Sequence, residues 1–200
     1  MSLFLIALAA AAQTPTPAAP AATAPPTDAQ TVARMAALYD EVCLRAFPSD
    51  TAVDAAMARK RATPMSDADV RVSLRDDPGR GWLSSVDGSE MIVLLELPPY
   101  HACSVRALSG GPGADTDLGP YRTAVAGFKA THKGFSTQPA MDMTQGGIRI
   151  HGEVEAREQP NGGGELLMLI DQQVVDRSQL TPGTTGTPLR FVHQIKQADR

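Results

Sequence analysis

The sequence predicts an α+β domain in which an antiparallel sheet of about five to seven strands is packed against two or three helices. Three observations carry that expectation. Val32, Met35, Ala36, Tyr39, Val42, Cys43 and Ala46 recur at helical spacing. From Gly81 the period changes to that of strands, and Val86-Asp87-Gly88-Ser89 is a hairpin turn built on Asp-Gly. Ile148, Ile150, Val154 and Ala156 alternate with Arg149, His151, Glu153 and Glu155, the pattern of a half-buried antiparallel strand.

The helical stripe begins after Thr27-Asp28, where Asp28 is placed to cap a first helix, and ends at Phe47-Pro48. Ser49 or Asp50 caps a second helix to about Arg61, with Val53, Ala56 and Met57 inward. Arg59-Lys60-Arg61 in its last turn complements the helix dipole rather than forming a phosphate site. Gly81 to Ser85 is a strand that carries Trp82, the one tryptophan, toward the core or its edge. Met91 to Leu97 is a continuous apolar run suited to a central strand, Pro98-Pro99 breaks it, and His101 to Leu108 is the next strand. A third helix covers Leu118 to His132, with Leu118, Tyr121, Val125 and Phe128 inward. Strands over Glu165 to Gln172 and Leu189 to Ile195 close the sheet, with Pro160 to Gly164 and Thr181 to Pro188 as turn and loop. Each half then reads as helix followed by strands. That order suits a distant internal duplication, although no residue-level identity supports one.

The 200 residues accommodate a single domain over 27–200, preceded by two segments of another character. Leu3 to Ala9 is an apolar stretch too short to cross a bilayer, which takes roughly 20 residues, and Ala10-Ala11-Ala12 supplies small residues for a signal peptidase. The expected cut is before Gln13, although the leader lacks the usual Lys or Arg at its start. Gln13 to Pro26 is almost entirely Pro, Ala and Thr; such a chain favours polyproline II and reaches about 3.1 Å per residue. It reads either as a spacer or as a lead-in with no further role. The first cysteine is Cys43, which excludes a lipoprotein anchor after the leader, and no later segment has 18 uninterrupted apolar residues. The expected location is therefore periplasmic or secreted.

In an oxidising compartment, an even cysteine count implies a bridge. Cys43 and Cys103 both fall on expected buried faces, so an internal disulfide is expected, with reactive thiol chemistry as the weaker alternative; His101 is the near base for it. The net charge is -4 with both signs scattered and no basic run, which argues against a nucleic-acid partner. Arg outnumbers Lys and Ala is abundant, the composition of a GC-rich bacterial genome.

No catalytic, cofactor or metal site is readable locally. His101, His132, His151 and His193 show no His-x-His or His-x-x-x-His spacing. His151 and His193 read as exposed strand positions that would meet only if their strands were adjacent. No nucleophile elbow, Ser-x-x-Lys pair or phosphate loop is present. Gly110-Gly111-Pro112-Gly113 resembles an anion nest, but Asp115 and Asp117 follow it. Glu153 and Glu155, near Arg149 and Arg157, read as a solvated charge ladder. With these residues laid out, the first-helix Cys43, the Gly81-Trp82 strand and Cys103-Ser104-Val105, together with the leader, resemble a group of small exported alphaproteobacterial proteins. The likeness spans Tyr39 to Leu108; the group has no assigned activity, so it implies compartment and disulfide alone.

Two functions from different classes fit. One is a non-enzymatic binding or accessory protein of the cell envelope, its partner an envelope protein. The other is a small envelope hydrolase or transferase whose residues, drawn from His101, His151, His193, Glu153 and Asp171, converge only in space. The second requires a concave pocket joining a histidine to a carboxylate.

Overall fold

The computed structural model describes residues 28–108, 116–160, 162–180 and 188–197. The expected leader, the Pro/Ala/Thr segment, the Ser109–Gly113 loop and most of the Thr181–Pro188 loop lie outside them. Helix α1 (Asp28–Tyr39) runs straight into a π-helical segment, Asp40–Ala46, and α2 (Asp50–Arg59) follows. Strand β1 (Thr63–Pro64), helix α3 (Asp67–Leu74) and strands β2 (Gly79–Val86), β3 (Ser89–Glu96) and β4 (Ala102–Leu108) complete the first half. The second half is α4 (Gly119–Thr131), β5 (Ser136–Thr137), β6 (Met141–Gln145), β7 (Ile148–Glu158), β8 (Gly164–Val174) and β9 (Pro188–Lys196).

All nine strands join one antiparallel sheet in the order β1-β2-β3-β4-β9-β8-β7-β5, with β6 also on β7. The α+β class holds, but among the described residues nine strands replace the expected five to seven, and four α-helices replace two or three. The extra strands are the two-residue β1 and β5, too short to show a period, and β6, whose alternating Met141 and Met143 are exposed rather than part of the core. The two halves meet back to back at the β4–β9 pair, each contributing a helix and three long strands in mirrored order, as a duplicated unit would.

The helical stripe is buried as its spacing demands: Met35, Tyr39, Val42 and Cys43 are sealed, as are Val53, Ala56 and Met57 on α2. Ser49 caps α2 by accepting from the Ala52 N–H at 3.3 Å. The Asp87-Gly88 turn has positive φ at both residues (45° and 82°), which makes the two-residue β2–β3 loop that the sequence signals. Trp82 is buried toward the β1 edge, opposite Val93 and Pro64. On the helix-covered face Val93, Leu95, Cys103, Val105, Leu167, Leu169 and Phe191 meet α1, α2 and α4. Tyr39, Tyr121 and Phe191 centre that core, with ring centroids 4.6 to 5.9 Å apart.

Helix α3 packs on the opposite face, where Val70 and Leu74 cover Leu94. A Cβ on Gly81 would stand 2.6 Å from Met65 Sδ and 2.9 Å from Leu94, so glycine is what lets α3 approach. The start of α3 is fixed by Ser66, whose Oγ accepts from the Asp69 N–H at 3.2 Å and donates to its carboxylate at 2.6 Å.

The Cys43–Cys103 bridge is present, with Cα atoms 5.3 Å apart across a sequence separation of 60. It ties the π-helical segment to the middle of the sheet. Replacing both cysteines by alanine is expected to lower stability by about 4 kcal/mol in the chain-entropy account. Urea unfolding of C43A/C103A beside the parent, with the midpoint converted through a common m-value, checks it.

Candidate functional site

The site grows out of the irregularity in the first helix. In the π-helical segment the Phe47 N–H donates to the Val42 carbonyl at 3.1 Å. The next donor in that series would be residue 48, and Pro48 has no N–H. The Cys43 carbonyl is therefore left without a backbone donor, and His193 supplies one: its Nδ1 lies 2.7 Å from Cys43 O. On the other side of the ring, Nε2 lies 2.8 Å from Glu165 Oε1. Both neighbours are acceptors, so both ring nitrogens are engaged within the fold. Phe47 and Phe128 pack on the ring, with centroids 4.9 and 5.3 Å away.

Glu165 is only 3% exposed, and its second oxygen accepts from Arg157 Nε at 2.6 Å and from Gln159 Nε2 at 3.3 Å. Burial alone would raise this carboxyl; the hydrogen bonds and charges of His193 and Arg157 outweigh it and bring the pKa down to about 2. Arg157 also lies over the Phe135 ring, 4.8 Å from its centroid. The result is a buried line, Cys43 carbonyl to His193 to Glu165 to Arg157, that crosses from helix to sheet edge.

This line forms part of the wall of a groove of about 1330 Å3 between α1 with its π-helical extension and α4. The groove exists because the facing helix positions are small: Ala33, Ala36 and Ala37 on one side, Ala124 and Gly127 on the other. Phe47, Phe128 and Ile195 give it apolar surface, and Asp40, Arg45 and Arg157 give it charge. Asp117, just before α4, accepts from the Gly119 N–H at 2.9 Å, a structural task for one of the two acids after the glycine-rich loop. Its companion Asp115 lies outside the described residues.

Several expectations are corrected here. His193 is not an exposed strand position but one of the most deeply buried side chains. His151 and His193 do not meet: both lie on the helix-covered face, but β8 stands between β7 and β9. His101 faces Asp50, with Nε2 2.9 Å from Oδ1, and packs on Phe47 at 4.6 Å. His132 is exposed and stacks on Phe128. Glu153 and Glu155 are not a solvated ladder with Arg149 and Arg157. They face α4, where Arg122 and Lys129 pair with them, while Arg149 pairs with Asp142. The reason is register: Glu155 stands opposite Leu167 and Glu153 opposite Leu169, on the helix-covered face. Ile150, Val154 and Ala156 take the other face.

Asp171 stands opposite His151 and shares with it, Arg149 and Gln173 a cleft of about 160 Å3. Its Oδ2 accepts from Gln173 Nε2 at 2.7 Å, its Oδ1 is buried without a hydrogen-bond partner, and burial raises its carboxyl above the usual range. Cys43 and Cys103 are bridged and so hold no thiol chemistry in this state. Among the described residues, no group of three or more His, Cys, Asp or Glu side chains is placed to hold a metal ion. The sequence reads Arg157 only as part of a charge ladder, Asp50 only as a possible helix cap and Glu165 only as the start of a strand, though Glu165 shares strand parity with Leu167 and Leu169, and that is the available signal. Comparison with known proteins returns no matching family model, curated protein or solved structure.

Two predictions with opposite signs follow from the two buried carboxylates. The lowered Glu165 stabilises the fold fully above the unfolded carboxylate range and loses that contribution as pH falls from about 4.5 toward 2. Glu165→Gln is expected to cost about 3 kcal/mol at pH 7, with the gap to the parent closing in acid. The raised Asp171 binds its proton more tightly folded than unfolded, so stability falls as pH rises through the carboxylate range. Asp171→Asn is expected to stabilise at pH 7 and to match the parent below about pH 4. Urea unfolding across pH 3 to 8 reads both.

Proposed function

We propose that this protein is an exported, non-enzymatic binding or accessory protein of the cell envelope, and that the groove between α1 and α4 receives a segment of its envelope partner. The observation that supports this most is the groove itself. It is large, it is walled by alanine and glycine positions that leave room for another molecule's side chains, and it has apolar surface with charges around it. The disulfide agrees with an oxidising compartment, and the leader reading with export.

The buried histidine argues for a structural part in the groove rather than proton transfer. Both ring nitrogens of His193 are engaged by acceptors, which leaves none to take a proton from a substrate. The second reading, an envelope hydrolase or transferase, rests on the His151–Asp171 cleft with its unpartnered, buried carboxylate oxygen. Hydrolysis of generic ester or amide substrates that is lost in H151A would favour that reading over the first.

The groove is tested by placing a photo-crosslinking amino acid in living cells at Ala37 or Thr123, which line it, and at Val72, which is exposed on α3. The expected result is one shared adduct at the two groove positions and none at Val72, identified by mass spectrometry and abolished by Ala124→Trp. Identical adducts at all three positions, or none at any, would overturn the proposal.

A further inference from the structure

The face of the sheet away from the main helices carries a charge arrangement that the groove does not use. Arg106 on β4 and Arg190 on β9 are registered directly opposite each other. Residues so placed in an antiparallel pair have Cβ atoms about 4.5 to 5.5 Å apart, and like charges there destabilise the sheet. Both arginines are half-buried, and Arg106 reaches the Ser73 carbonyl of α3, two residues before the third cation, Arg75, at that helix's C-terminal cap.

Among the described residues, none of the three forms an ion pair with a carboxylate. The Nε atoms of Arg106 and Arg190 are buried without any hydrogen-bond partner. Arg106 has one protein acceptor, the Ser73 carbonyl at 3.3 Å, and Glu96 attracts it from beyond ion-pair distance. Elsewhere among the described residues the half-buried cations are matched: Arg34, Lys60, Arg80, Lys129 and Arg157 each sit against a carboxylate. Holding two guanidinium groups side by side, partly desolvated and unmatched, costs stability, and a third positive charge beside them adds to it.

There is also room beside Arg106. Arg106 lines a cleft of about 630 Å3 with Arg61, Leu83, Ile92 and Pro188, in which the acid is Glu90. Ile92 stands opposite Arg106 on one side and Ile170 opposite Arg190 on the other, so the cations are flanked by apolar strand surface.

We infer that Arg75, Arg106 and Arg190 form a binding site for the phosphate group of a ligand. Guanidinium forks match phosphate oxygens two at a time, and three positive charges with no paired carboxylate suit a dianion better than a single carboxylate. The phosphate comes either from a small phosphomonoester or from a lipid headgroup whose chains lie along the flanking apolar strands. This site is on the opposite face of the sheet from the groove and stands or falls separately from it.

The test uses inorganic phosphate as the probe, at constant ionic strength against chloride. Phosphate at ten times its Kd is expected to raise the melting temperature of the parent by about 3 to 5 °C. R190Q and R106Q should lose that rise, while melting at or above the parent in phosphate-free buffer because the repulsion is relieved. R59Q, which removes an exposed cation on α2, should keep it. If a variant fails to fold, a 31P NMR titration of the parent reads binding directly. Flotation with phosphatidylcholine vesicles, with and without phosphatidic acid, separates the sources. Binding to phosphatidic acid that R190Q abolishes assigns a lipid headgroup, and a response to inorganic phosphate alone assigns a small ligand. No phosphate-specific rise or line broadening and no vesicle binding, or an equal response in R190Q, would overturn the inference.

Discussion

The structure hinges on Cys43, which anchors the first helix to the sheet twice. Its sulfur is bonded to Cys103 on β4, and its carbonyl, freed by the π-helical turn and by Pro48, accepts from His193 on β9. Cys103 and His193 are directly opposite each other, so both anchors land on the same cross-strand pair at the junction of the two halves. The backbone irregularity and the disulfide thus fix one point. An ordinary α-helical turn would direct the Cys43 carbonyl along its own axis and leave the His193 Nδ1 buried without an acceptor, at a cost of about 1–3 kcal/mol.

From that point the charge network radiates to the edge. His193 requires an acceptor on its far side, Glu165 provides it, and a carboxylate so enclosed requires Arg157. Each member answers a need created by the one before, which is why removing a middle member is costly while the whole line is sustainable. These bonds tie the wall of the groove to the sheet. The small residues of α1 and α4 then leave the space that large apolar side chains would otherwise fill.

Much of this was open to reading from the sequence, and the rest failed for identifiable physical reasons. The stripe from Val32 to Ala46 and the Asp87-Gly88 turn are local signals of helix and hairpin, and the structure follows them. Helix α3 was missed because only Val70 and Leu74 are buried along it; the Ser66–Asp69 cap was its signal. On β7 the apolar residues were expected to face the core, yet the register turns Glu153 and Glu155 toward α4, because α4 brings Arg122 and Lys129 to meet them. No alternation rule sees a partner on a helix some thirty residues upstream. His193 was misread although Leu189, Phe191 and Ile195 share its parity; the polarity of one residue was given more weight than the period of its strand.

The two faces of the sheet treat charge differently, and the contrast bears on what the protein is for. On the helix-covered face a buried cation comes with its carboxylate, as Arg157 with Glu165 or Lys129 with Glu155. On the other face Arg106 and Arg190 are set side by side with Arg75 nearby, and the carboxylate that acts on Arg106 remains out of contact. A fold that satisfies a buried histidine with a carbonyl liberated by a π-helical turn has the means to satisfy an arginine. That two stand unmatched among the described residues at the centre of the sheet is what the inferred phosphate ligand explains.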